Sequence, residues 1–239
     1  MNCLMACLYQ RRCYMKPELR IGVVDSGYSE AQRIQVMAAR QFSLLADGVD
    51  ESDVRDDALG HGSAVVEAIS RCVPSAHFCV AQVFDRRGVT SALQIATAID
   101  WLVAQNVRLI NLSLGLRQDR ELLRNACAAA VSRGILLCAS SPAQGEGVFP
   151  ANYPGVLRVT GDVRCADHEW SWLDSPQADF AACGRGVNPA QSGASFGCAM
   201  LSGHIASYLL EQPGASNDQV IAWLREHASY YGPERRVRP

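Results

Sequence analysis

Short, nearly uninterrupted aliphatic runs recur along this chain, at 19–24, 78–84, 107–114, 135–139 and 156–160. Between and after them lie stretches with apolar residues at helical spacing, at 29–40, 61–72, 91–105, 120–132, 194–210 and 217–227. A strand that is apolar on both faces must be covered on both faces. The alternation therefore predicts an α/β, three-layer architecture: a mostly parallel sheet flanked by helices. In such sheets the chemistry gathers beyond the carboxyl ends of the strands. Ser29 is expected to cap the helix at 29–40 and Gly134 to close the helix that ends near Ser132.

The 239 residues suit one domain. With no internal repeat and no Pro/Gly-rich linker, we read 1–18 as an N-terminal extension, 19–228 as the folded domain and 229–239 as a basic tail carrying Arg235, Arg236 and Arg238. A net charge of −2 argues against a nucleic-acid groove or a polybasic membrane surface. No run approaches the ~18 apolar residues of a membrane span. Apolar residues make up 49% of the chain, enough for a core that needs no metal or disulfide to hold it. The ten cysteines contain no C-x-x-C pair, and several stand in apolar runs, so they read as small buried hydrophobes with free thiols. Cys3, Cys7 and Cys13 read as loose thiols of the N-terminal extension rather than a metal site. The short apolar patch at 4–8 precedes its charges, the reverse of a secretory signal, so the expected location is the cytoplasm.

Three positions can carry nucleophilic chemistry. Asp25 ends the first apolar run, where a buried strand can hold a carboxylate rigidly. His61 stands between Gly60 and Gly62 at a helix start, so other groups can come close to its imidazole. Ser195 also opens a helix, where the dipole and free N–H groups favour a developing oxyanion. Singly, each is more ordinarily a turn former, a loop histidine or a cap. The acidic stretch of Asp47, Asp50, Glu51, Asp53, Asp56 and Asp57 reads as a solvated loop rather than a cation site.

Together they resemble a known set. Val23-Val24-Asp25-Ser26-Gly27, Gly60-His61-Gly62-Ser63-Ala64-Val65 and Gly193-Ala194-Ser195-Phe196-Gly197 resemble, in order, the aspartate, histidine and serine motifs of the subtilisin-like serine proteases, the subtilases of peptidase family S8. Leu109 to Gly115 is similar to that family's central strand. The resemblance implies that Ser195 is the nucleophile, His61 the general base and then acid, and Asp25 the group that fixes the imidazole tautomer. No cofactor is expected, and the calcium-binding loops of the family's larger members have no counterpart in this sequence, so no metal is expected either. The resemblance also implies that Gly88-Val89-Thr90 and Ser113-Leu114-Gly115 clamp an extended peptide by main-chain hydrogen bonds.

The departures carry expectations as well. The family's oxyanion-binding Asn aligns with Ala143, so Gln144, Ser141 or Ser140 is the candidate substitute. Ala199 and Cys183 stand where prolines are usual. The 24 residues before Asp25 are too few for a pro-segment. The expected function is an intracellular serine endopeptidase acting on extended peptides through an acyl-enzyme, in a restricted role such as trimming a precursor peptide. One alternative is a peptide ligase or cyclase on the same scaffold. Another is a catalytically weakened peptide-binding or scaffolding module.

Overall fold

The computed structural model describes residues 18–186 and 191–234. The N-terminal cysteines Cys3, Cys7 and Cys13 and the tail arginines Arg235, Arg236 and Arg238 lie outside the described residues. Ten strands form one sheet. In chain order they are β1 (Arg20–Asp25), β2 (Val36–Leu45), β3 (Gly48–Ser52), β4 (His77–Gln82), β5 (Leu109–Leu112), β6 (Leu136–Ser140), β7 (Val156–Gly161), β8 (Trp170–Trp172), β9 (Phe180–Ala182) and β10 (Tyr230–Tyr231). Across the sheet the order is β10-β8-β9-β7-β6-β5-β1-β4-β2-β3. All pairings are parallel except β2 with β3 and β8 with β9. The helices are α1 (His61–Cys72), α2 (Ala92–Ala104), α3 (Glu121–Ser132), α4 (Ala194–Glu211) and α5 (Asn217–Glu226).

Residue alternation along the central strands divides the core in two. Ile21, Val23, Phe78, Val80 and Leu109 face a layer built with Val65, Val66 and Ile69 of α1 and Met200, Leu201 and Ile205 of α4. Val24, Cys79, Ala81, Ile110 and Leu112 face Ile95, Ile99 and Leu102 of α2 and Leu123 and Cys127 of α3. This is the three-layer sheet expected from the apolar runs. From β1 the chain winds outward to β4 on one side and to β5, β6 and β7 on the other. The carboxyl end of β1 is therefore the switch point, where a crevice opens between diverging connections.

Two segments differ from expectation: the stretch read as a tail begins inside the sheet, where β10 pairs with β8 and the Ser229 and Gly232 N–H groups donate to Trp170 and Trp172, and a predicted helix is absent. Residues 29–40 do not form a helix. Ser29 does close a capping box with Gln32, but the turn it starts is a short 3₁₀ stretch, Glu30–Gln35, with no buried residue. The chain then enters β2, which pairs in parallel with β4. The helical spacing of Ile34, Met37 and Ala38 had no layer to pack on: Ile34 is 90% exposed. Sheet pairing with β4 outweighed local periodicity. The acidic stretch is likewise not one solvated loop, because Asp50 and Glu51 lie in β3. No cluster of metal-ligating side chains occurs among the described residues.

Candidate active site

Asp25 is the last residue of β1 and is fully buried at the switch point. Its Oδ1 accepts the Ser26 N–H at 2.7 Å and faces His61 Nδ1 at 2.8 Å. Its Oδ2 is buried with no partner among the described residues. An ionised carboxylate only accepts, so the contact places a proton on Nδ1 and leaves Nε2 as the basic nitrogen. The hydrogen bond to Asp25 raises the His61 pKa above 6.5. Burial opposes that shift, and the charges of Asp25 and Asp57 add to it.

Asp57, read from sequence as part of a solvated loop, instead binds the start of α1. Its Oδ1 accepts the Gly60 N–H at 2.9 Å and the Ser26 hydroxyl at 2.8 Å. Its Oδ2 accepts the Ser63 N–H at 2.8 Å and the Ser63 hydroxyl at 2.7 Å. Burial works against its charge, but these bonds prevail and hold its pKa below 3.8. Ser26 Oγ in turn accepts the Gly62 N–H at 2.9 Å. One carboxylate and one hydroxyl thus fasten the loop after β1 to the helix that carries His61. The sequence signal was present: an Asp six residues before Ser63, at a helix start, has the chemistry of a cap.

Ser195 is the second residue of α4, after Gly193 at φ 131°. At that position its N–H lies in the first turn and needs no partner within the helix. The Ser195 hydroxyl donates to the Ser113 carbonyl at 3.2 Å, so its partner is on the extension of β5 rather than on His61. Phe196 packs beside the imidazole, with ring centroids 5.8 Å apart. The structure therefore brings Asp25, His61 and the start of α4 to one crevice. The Ser195 hydroxyl is engaged by Ser113 rather than by His61, and catalytic contacts of this kind commonly tighten only when substrate binds.

The candidates for the second oxyanion donor separate. Ser140 donates its hydroxyl to the Leu114 carbonyl at 3.2 Å. Ser141 donates its own to the Gln177 carbonyl at 2.6 Å. A hydroxyl has one proton, so neither serves an oxyanion in this arrangement. Gln144 is exposed beside Ala143, at the rim of a cleft of about 450 Å³ that also reaches Thr160 and Asp162.

The two expected peptide edges differ in readiness. Along the first edge the turn closes on itself: Val89 has its N–H taken by the Asp85 carboxylate and its carbonyl by the Asp85 N–H, and the Gly88 N–H donates to the Asp85 carbonyl at 3.0 Å. Leu114 and Gly115 continue from β5, and Val148 is packed so tightly on Gly115 that a Cβ there would lie 2.7 Å from it. Leu116 and Phe149 then exchange two main-chain hydrogen bonds.

The sequence profile of the subtilase family matches residues 18–238. The thermostable alkaline protease of Halalkalibacterium halodurans is 26% identical over 232 residues, covering 89% of this chain and 63% of that protein. Subtilisin E of Bacillus subtilis is 25% identical over 244 residues, covering 92% of this chain and 62% of its own length. The chain thus spans a little over three fifths of these relatives. Among solved structures, the S41 psychrophilic protease superposes with a TM-score of 0.67 at 22% identity, over 88% of this chain and 83% of that one. A lanthipeptide protease does so with 0.67 at 18% identity, over 87% and 79%.

Proposed function

The chain belongs to the subtilase family, and from that premise we propose that it is a serine-type endopeptidase with Asp25, His61 and Ser195 as its triad. The observation that carries the reading is the 2.8 Å contact of His61 Nδ1 with buried Asp25, beside a serine at the start of α4. A peptide enters extended between Gly88–Thr90 and Ser113–Gly115. Ser195 Oγ attacks the scissile carbonyl as His61 Nε2 takes its proton. The Ser195 N–H donates to the oxyanion. Collapse breaks the C–N bond, and the imidazolium gives its proton to the leaving amine. Water then adds to the acyl-enzyme with His61 again as base, releasing the acid and restoring the serine.

The narrower role we propose is processing of a precursor peptide, in which the two expected edges hold one extended segment of the substrate by its main chain. We place it in a reducing compartment such as the cytoplasm. The support is that the seven cysteines among the described residues are free and six are buried.

A fluorophosphonate probe tests the assignment. Covalent labelling is expected to map to Ser195 and to vanish in Ser195→Ala, with turnover falling by several orders of magnitude. Peptidase activity undiminished in that variant would refute it. A second reading, a weakened module that binds extended peptides, draws on Ala143 and on the committed hydroxyls of Ser140 and Ser141. Tight peptide binding with no labelling would favour it.

A further inference from the structure

Asn111 is out of keeping with its surroundings. It lies in β5 on the face that meets α4, fully buried, with Val23 and Cys138 as its cross-strand neighbours in an otherwise apolar layer. A buried amide costs stability unless both its ends are paired, whereas an aliphatic side chain would fill the place without that requirement. Both ends are paired here. Ser202 Oγ, also fully buried, meets Asn111 Oδ1 at 3.0 Å. Asn111 Nδ2 meets Ser113 Oγ at 2.9 Å, and Ser113 Oγ meets the Ser195 carbonyl at 2.9 Å.

The direction of this chain is fixed from one end. A carbonyl can only accept, so the Ser113 hydroxyl gives its single proton to Ser195. Ser113 Oγ must then accept from Asn111, which turns Nδ2 toward it and Oδ1 toward Ser202, and Ser202 must donate. Ser113 also receives the Ser195 hydroxyl on its own carbonyl, at 3.2 Å. The two residues, 82 apart in sequence, therefore clasp each other by two bonds, one of them set by the buried amide.

We propose that Asn111 and Ser202 are positioning residues. Through Ser113 they lock the first turn of α4, and with it the Ser195 Oγ and N–H, to the strand extension that flanks the peptide groove. The proposal rests on the reading of Ser195 as nucleophile. Displacement of that turn by a fraction of an ångström changes the approach of Oγ to the scissile carbonyl while leaving the peptide edges in place. The signature is a loss in kcat without a matching rise in KM.

The informative variant is Asn111→Asp, nearly the same shape and, when ionised, an acceptor at both ends; burial favours the protonated acid, so the variant is compared with wild type up to alkaline pH, where the carboxyl gives up its proton. The Ser113 and Ser202 hydroxyls both turn to it, and the Ser195 carbonyl loses its donor. In folded enzyme, kcat and the rate of fluorophosphonate labelling are expected to fall together by about tenfold or more, with KM held. If Asn111→Asp does not fold, Ser113→Ala, which removes the donor to the Ser195 carbonyl, should reproduce the loss in kcat and in labelling rate. Wild-type labelling rates in folded Asn111→Asp, or in Ser113→Ala, overturn the proposal while the nucleophile assignment stands. A wild-type chain that takes no label at all overturns the hydrolase reading, and the proposal with it.

Discussion

At the scale of single residues, His61 and Gln144 make the sharpest claims. As the proposed base, His61 must be neutral to take the serine proton, and its partner Asp25 raises its pKa above 6.5. Activity is therefore expected to rise through an acidic limb centred above that value, read from kcat/KM against pH. Asp57 contributes by its charge, so Asp57→Asn removes a group that favours the imidazolium and should move the limb to lower pH. An unmoved limb in that variant would reject the contribution. The same raised pKa is a term in folding. It stabilises the native state fully below 6.5, where unfolded and folded histidine are both charged, and fades as pH rises through the folded value. Gln144 is the remaining side-chain candidate for the oxyanion, since the hydroxyls of Ser140 and Ser141 are used elsewhere. Gln144→Ala is expected to cost ~10²–10³ in kcat with KM little changed. A near-wild-type rate would leave the Ser195 N–H as sole donor, and Ala143→Asn should then raise kcat by supplying an amide where the family has one.

At the scale of elements, the site depends on how closely two helices approach the sheet. A Cβ on Gly62 would lie 2.3 Å from the Gly27 carbonyl oxygen, and one on Gly197 would lie 2.2 Å from that of Thr160. The neighbours are backbone and cannot step aside. These glycines let α1 and α4 rest directly on the loop after β1 and on β7, which is what brings His61 and Ser195 to one crevice. Gly62→Ala is expected to push the first turn of α1 away and lengthen the His61–Asp25 contact. Activity should then fall far more than thermal stability, as peptidase assays beside melting curves would show. Equal losses in both would mean that the contact contributes stability alone. The carboxylate of Asp57 works at the same scale: it satisfies two orphan N–H groups of α1, service typically worth about 1 kcal/mol at a helix start.

At the scale of the whole molecule, the sheet separates two apolar layers that contain most of the described thiols. Burial pushes Cys79 up to about 11 and Cys127 and Cys138 up to about 12, and raises Cys198 well above its ordinary value. A thiol held protonated and out of solvent does not react. Alkylation with iodoacetamide at neutral pH, read residue by residue by mass spectrometry, should spare these four in the native protein and modify all of them in denaturant. Native modification of Cys138 or Cys198 would show that the layer under α4 opens. Cys138 pairs across the sheet with Asn111, so that result would also locate an opening beneath the Ser195 turn.

Sequence alone determined the layers and the triad candidates. Apolar strands covered on both faces admit few architectures, and three short glycine-containing motifs held an acid, an imidazole and a hydroxyl respectively, each at the end or start of an element. Local pattern failed where pairing across the sheet decided the outcome: residues 36–40 carry a helical spacing, yet β4 offered a parallel neighbour and no layer received a helix. Sequence also left the roles of Asp57, Asn111 and Ser202 unread, because a polar residue's function depends on which partners the fold delivers. Asp57 lies 31 residues from Ser26, and Asn111 lies 91 from Ser202. Only the tertiary structure brings such groups within 3 Å, and only it shows that the hydroxyls of Ser140 and Ser141 are already used. A hydrogen bond is a matter of distance and of one proton per hydroxyl, and neither is written in the order of residues along the chain.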